Sequence, residues 1–309
     1  MRSARRLQRH DVQGVVARVV AKLSREATIN HYVNPLISST QLSEALHATR
    51  DASWVAVDDD QIVGHLYGAL LENDDYGRGI WIGPDGCSFD DIDILAELYA
   101  QAGSHWISEG ARDHYVWTLD EPSSTQPWLE LGFARMHQRG VIALDRDFSH
   151  ELRDGYSIRI GGAHEIDLAV ELDHQLDEFQ KLGPSFSMGA NRSSRRADLL
   201  DTLEDPEVHH YIVEWAHEGV AQCLTFPLPD IRGSFPRTLH LSAVTVATAH
   251  RERGIATAMV DRALSDARTQ GFDFCETNWR VTNRRASSHW RHYGFTPTYV
   301  RLHRTIASS

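Results

Sequence analysis

Cysteine is scarce in this chain of 309 residues: Cys87, Cys223 and Cys275 are the only three. They are too few and too scattered for a disulfide scaffold or a Cys-rich zinc site. Proline is thin as well, with ten residues spread along the chain, which excludes a collagen-like or Pro-rich architecture. No run approaches the roughly 18 consecutive apolar residues that a membrane span needs. Basic residues are outnumbered, 31 Lys and Arg against 43 Asp and Glu, a net charge of −12. That balance argues against binding nucleic acid, which relies on neutralising phosphates. The basic start MRSARRLQRHD is not followed by an apolar signal core. It reads as the surface-facing start of a first strand, and the chain is expected to be cytoplasmic, with no membrane partner.

What is present is ordinary globular composition, 41 % hydrophobic and 24 % charged, over a length that suggests two domains. The strand-like run Val141-Ile142-Ala143-Leu144 is followed by a polar stretch, Asp145 to Gly155, and then by a new strand from Tyr156 to Ile160. A boundary is therefore expected near 150, giving domains 1–150 and 151–309.

The two halves repeat one order of elements. Each opens with a short strand and a helical stretch, Val12 to Lys22 in one and Ile166 to Phe179 in the other. Each continues with a hairpin. Trp54 to Val57 turns at Asp58-Asp59-Asp60 and returns as Ile62 to Tyr67, while Tyr211 to Trp215 turns near His217-Glu218-Gly219 and returns as Val220 to Leu224. Each then has a helix ending at glycine, a strand, and a Trp-x-x-x-Gly-Phe close: Gly110 with Trp128 to Phe133, and Gly271 with Trp290 to Phe295. Alternating strands and helices predict α/β packing, a twisted mixed sheet flanked by helices in each half. The Ser- and Gly-rich stretch Gly183 to Arg196 is expected to be a mobile loop or lid.

The chemistry concentrates in the second half. A strand, Leu239 to Val246, leads through a basic turn into a helix that begins Arg251-Glu252-Arg253-Gly254-Ile255-Ala256. Free backbone N–H groups at a helix start, with the positive end of its dipole, suit a pyrophosphate. Gly254 and the small Ala256 let the backbone approach phosphate closely, and Arg251 and Arg253 add charge outside the cradle. The spacing is neither Gly-x-Gly-x-x-Gly nor Gly-Lys-Ser/Thr, so it favours a different phosphate-bearing ligand. Downstream, Asn283 reads as an N-cap, followed by Ala286, Trp290, Gly294 and Phe295.

Together these motifs resemble the GNAT superfamily of N-acetyltransferases, most strongly over 239–295. Arg251, Gly254 and Ala256 match its R/Q-x-x-G-x-G/A element, and Asn283, Ala286, Gly294 and Phe295 match its N-x-x-A-x-x-x-Y-x-x-x-G-F element. The resemblance implies two tandem acyl-CoA N-acyltransferase (GNAT-like) domains. It implies acetyl-CoA as donor, with Val244 and Val246 pairing to the pantetheine arm. Residues Arg251 to Ala256 would then hold the pyrophosphate. The first half lacks that element and puts Asp90, Asp91 and Asp93 at the corresponding helix start, where carboxylates repel a pyrophosphate. It is expected to be a degenerate, non-catalytic copy. The arrangement resembles tandem acetyltransferases of the mycothiol synthase kind.

The implied reaction is acetyl transfer to a primary amine of a small molecule or peptide, by direct attack. The acidic net charge suits a cationic acceptor. Candidate catalytic residues are His240 as base, with Glu276 and Glu214 as weaker candidates, and Tyr293 as acid. The family's Tyr position holds Trp290 here, which suits packing in the cleft or core. That departure keeps a second reading open, a non-catalytic acyl-CoA-binding or regulatory protein. His289 and His292, on the last helix, read as solvated; with His209 and His210 they lack a closing ligand set, so no metal is expected. Monomer and homodimer are both open.

Overall fold

The computed structural model describes residues 2–49, 52–73, 77–149, 151–187, 192–228 and 233–307. The chain forms two compact units. Unit 1 comprises Met1–Gln138, Ile231–Ser234 and Pro297–Ser309; unit 2 comprises Arg139–Asp230 and Phe235–Thr296.

Unit 1 runs through β1 (Ser3–Arg6), α1 (Val12–Ile29), α2 (Ser39–Ala48), β2 (Ser53–Asp58), β3 (Gln61–Tyr67), β4 (Ala69–Asn73), β5 (Gly77–Ile82) and β6 (Cys87–Phe89). It continues with α3 (Ile92–Ser108), β7 (Asp113–Leu119) and α4 (Pro122–Glu130). In α1, Val12, Val15, Val16, Val19 and Leu23 recur at helical spacing, and all five are buried against α2 and the sheet. The β2–β3 hairpin closes as expected, with Asp59 and Asp60 both at positive φ, a conformation that short acidic side chains tolerate. One sheet has the order β1–β2–β3–β6, and a second runs β4–β5–β7–β14, where β14 is Thr296–Thr305.

Unit 2 takes the Arg139–Ala143 part of β8 (Ala134–Ala143), then β9 (Tyr156–Ile160), α5 (Ile166–Lys181), α6 (Arg192–Glu204), β10 (His209–Trp215) and β11 (Glu218–Pro227). β12 (Thr238–Val246), α7 (Ile255–Thr269), β13 (Phe274–Arg280) and α8 (Arg284–Tyr293) complete it. Its sheet runs β8–β13–β12–β11–β10–β9. The β10–β11 hairpin turns at Ala216 and His217, both at positive φ. The α7 stripe lies as its spacing predicts: Ile255, Met259, Ala263 and Ala267 are all buried in the core beneath β10–β12.

Both units are thus α/β folds of mixed sheets flanked by helices. Two corrections concern local elements. The stretch from Gly183 is not loop throughout: α6 begins at Arg192, and residues 188–191 lie outside the described residues. His289 is not solvated but half-buried, and burial pulls its imidazole below the usual histidine range.

Candidate functional site

The site is built where β12 meets α7. β12 and β13 pair in parallel only from Thr238 to Leu241 and from Phe274 to Thr277. Beyond these pairs β12 continues to Val246 and β13 to Arg280 without pairing to each other. On its other side, β12 keeps its pairing to β11 but loses register between Gln222 and Leu224. Ala243 sits there at φ 52°. This is a bulge: the extra residue bends the strand and turns its backbone. The outcome is a strand edge over Ser242–Val246 that β13 leaves uncovered. Val244 and Val246 lie on it, with their side chains packed on the core below.

The turn after Val246 is a short 3-10 helix, Thr248–His250, and Arg251 is extended. Glu252 then takes φ 62° and Gly254 φ 79°. Gly254 caps α7 in the left-handed conformation, with no side chain closing the helix end. The N–H groups of Gly254, Ile255, Ala256 and Thr257 have no acceptor among the described residues, and the first closed bond is Ala258 N–H to Gly254 C=O at 3.0 Å. These open donors at the positive end of a helix dipole form an anion cradle.

The arginines act differently from the sequence expectation of added charge outside the cradle. Arg251 Nε donates to the Val246 carbonyl at 3.0 Å, and its guanidinium lies 5.1 Å over the Phe179 ring. Arg253 donates to the Tyr156 hydroxyl at 2.9 Å and to the Ala249 carbonyl at 3.0 Å. Both side chains brace the loop, and the backbone supplies the donors. Glu252 points to Arg285, 3.6 Å away.

Asn283 caps α8 as its position predicts, with its side-chain oxygen accepting from the Ala286 N–H at 3.1 Å. Ala286 packs against the core. Trp290 is a core residue, 6 % exposed and edge-on to Phe295 at 5.2 Å.

Among the catalytic candidates, His240 and Glu276 come together. They are register partners across β12 and β13, so their side chains share the face opposite Leu239 and Leu241. His240 packs against Phe226 at 5.0 Å, and its Nδ1 is buried with no hydrogen-bond partner. Burial lowers its pKa, which the Glu276 charge partly offsets. Glu276 is itself buried and ion-paired with Arg139 at 3.2 Å. Arg139 escaped the sequence analysis, because nothing local in β8 points to a residue far downstream. Glu214 is remote from this face, committed to Arg159 at 2.6 Å.

Tyr293 lies elsewhere than expected for an acid at the cleft. Its hydroxyl donates to Asp261 on α7, and burial, helped by that carboxylate, raises its pKa well above the usual phenol range. It pins α8 to α7.

A turn from Gln180 to Ser187 flanks the uncovered edge. Gln180 accepts from Arg280 Nε at 2.8 Å, and Thr282 donates to Ser185 at 3.1 Å. Leu182 and Phe186 stand exposed on it.

Unit 1 treats the equivalent helix start differently. Asp91 caps α3, its Oδ1 accepting the Ile94 N–H at 2.9 Å. Arg2 and Arg18 hold Asp91 and Asp90 at 3.4 and 2.6 Å. A carboxylate of the chain already fills the place of an anion.

Comparison with known proteins agrees with this geometry. Residues 169–295, about two fifths of the chain, match the model of the acetyltransferase (GNAT) family. No curated protein sequence matches the chain. Among solved structures, a GCN5-related N-acetyltransferase from Sphaerobacter thermophilus is similar at 15 % identity, with a TM-score of 0.68, over 100 % of this chain and 96 % of that one. A tandem GNAT protein from the clavulanic acid biosynthesis pathway is similar at 14 % identity and a TM-score of 0.57, over 100 % of both chains. A GCN5-related N-acetyltransferase from Kribbella flavida gives 11 %, a TM-score of 0.52, and 84 % and 88 % coverage. At these identities the likeness is one of fold. The fold is GNAT-like, and residues 169–295 are the segment that is similar to the acetyltransferase (GNAT) family. Among the described residues no helix is long and apolar enough to cross a membrane, and no group of three or more His, Cys, Asp or Glu is placed to hold a metal.

Proposed function

We propose that the chain is an acetyl-CoA-dependent N-acetyltransferase with one active site, carried by residues 151–309, and that residues 1–150 form a non-catalytic copy in a tandem arrangement of the mycothiol synthase kind. The observation that carries this reading is the open cradle at Gly254–Thr257 beside the uncovered edge of β12. The donor's pyrophosphate would rest on the N–H groups of the cradle, and its pantetheine amides would pair with the backbone of Val244 and Val246. Asn283 and Ala286 would border the arm at the start of α8. Asp91, capping α3 with its own carboxylate, supports the loss of that function in the first copy.

The acceptor is a primary amine of a small molecule or peptide. Its nitrogen attacks the thioester carbonyl carbon, the carbon–sulfur bond breaks, and the ammonium proton leaves to a base. His240 suits that role: its depressed pKa keeps it neutral near pH 7. Glu276, held by Arg139, supplies negative charge that favours the imidazolium as it forms. A backbone N–H near Val244 would stabilise the oxyanion. With Tyr293 tied to Asp261, the thiolate takes its proton from water, which a thiol's pKa permits.

Calorimetric titration with acetyl-CoA tests the donor half, with saturable binding expected. Release of free CoA with a panel of amines tests the rest. A second reading, an acyl-CoA-binding module without catalysis, is favoured by Trp290 in the core where the family places Tyr. Binding without turnover across the panel would select it.

A further inference from the structure

Unit 1 contains a cavity of about 440 Å³ whose walls include Arg6, Leu70, Ile80, His105, Trp106 and Glu109. None of these residues belongs to the cradle at Gly254–Thr257, and a ligand here would be independent of transferase activity.

The wall carries one charge of each sign, and neither closes an ion pair among the described residues. The Arg6 guanidinium stacks over Trp54 at 4.4 Å, and it has no carboxylate partner among the described residues. Stacking fixes the plane of the fork and leaves its N–H edge free for a planar anion. Glu109 caps the C-terminal end of α3: its N–H donates to the His105 carbonyl at 3.1 Å and its own carbonyl accepts from Arg78 at 2.9 Å. The Arg78 charge feels the Glu109 carboxylate, but no ion pair closes on that carboxylate among the described residues. A third polar group is deeper. Trp106 is 2 % exposed, and its indole Nε1 has no hydrogen-bond partner. A buried donor left unmade costs about 1–3 kcal/mol, so an acceptor from a ligand would recover stability there. The rest of the wall is apolar, with Ile80 buried and Leu70 half-exposed.

An anion site, a cation site, a buried donor and an apolar patch in one small cavity define a zwitterion with a hydrocarbon side chain. We propose that this cavity binds a free apolar L-amino acid. Its α-carboxylate meets Arg6 and the Trp106 N–H, its α-ammonium meets Glu109, and its side chain lies against Leu70 and Ile80. A simple amine or a simple acid would engage only one of the two charges and forgo the charge-assisted contact to the other.

The test is calorimetric titration of the full chain with L-leucine, with 3-methylbutylamine, which lacks the carboxylate, and with 4-methylpentanoate, which lacks the ammonium. One saturable site for leucine is expected, with the amine and the acid each weaker by about tenfold or more. Arg6→Gln and Glu109→Gln should each weaken leucine by a similar factor, and both side chains are exposed, so the fold should persist. Gly254→Glu should leave leucine binding intact, which separates this site from the transferase reading. The proposal is overturned if leucine, valine, methionine and phenylalanine all give no saturable heat up to about 10 mM, or if amine or acid binds as tightly as leucine. Unchanged leucine affinity in folded Arg6→Gln and Glu109→Gln overturns it as well. The ligand comparison needs no variant, so it decides even if a substitution fails to fold.

Discussion

His240 and Glu276 stand opposite each other across the parallel pair β12–β13, at the last but one pair before the strands part. An ion-paired carboxylate therefore sits beside an imidazole whose Nδ1 has no partner. For a base that must start neutral, burial lowers the pKa and moves the onset of activity to lower pH.

From this, kcat/KM of the wild type should rise with pH along an acid limb centred below the ordinary histidine value of about 6.5. His240→Ala should lose that limb and lower kcat by about 10²- to 10⁴-fold. Its acetyl-CoA affinity should not change. A pH–rate profile with the limb intact in His240→Ala would assign the base elsewhere.

Gly254→Glu places a carboxylate at the open helix start and a side chain on a residue at φ 79°. The conformational cost is about 1 kcal/mol, which a thermal melt should register as a small shift. Acetyl-CoA affinity should fall by about tenfold or more, read by calorimetry. Arg251→Glu should weaken binding too, through loss of the brace to Val246 rather than of a phosphate contact.

Asp91→Ala removes the cap of α3 and should cost about 1 kcal/mol in chemical denaturation. It should not create a second cradle. Titration of both wild type and variant should give one acetyl-CoA per chain. A stoichiometry of two would contradict a single active copy.

His65 is fully buried, with its Nδ1 against Ser88 Oγ at 2.7 Å and its Nε2 against the Asp85 carbonyl at 2.9 Å. Burial lowers its pKa to about 4. Between that value and about 6.5 the unfolded chain binds the extra proton, so stability falls as pH is lowered through this window. The loss approaches about 3 kcal/mol for this one group at its lower end. Denaturation measured from pH 7 to 4 should show the decline, and His65→Gln should flatten it.

Much of the site could be read before the fold was known, because its parts are local. A glycine at a helix start, an Asn three residues on from β13 and a stripe of Ile255, Met259, Ala263 and Ala267 announce themselves within a few turns of chain. What escaped is non-local or lacks a residue signature. Ala243 adopts a positive φ with no glycine to flag it. The Arg139–Glu276 pair joins distant segments. Arg251 and Arg253 look like phosphate ligands by type, yet backbone carbonyls and Tyr156 take up their donors. The strand runs around 139–143 and 297–305 would suit either sheet, so their pattern does not say which unit they join.

That last point bears on how the protein is made. β7 is completed on one side by β14, with Tyr299 opposite Leu119 through Thr305 opposite Asp113. All of unit 2 is translated between those two partners. The first unit to emerge from the ribosome is therefore the last to be finished, and until synthesis reaches β14 the flank of β7 stays open to whatever strand it meets. A nascent chain stalled before residue 297 should be a better chaperone client than the released protein.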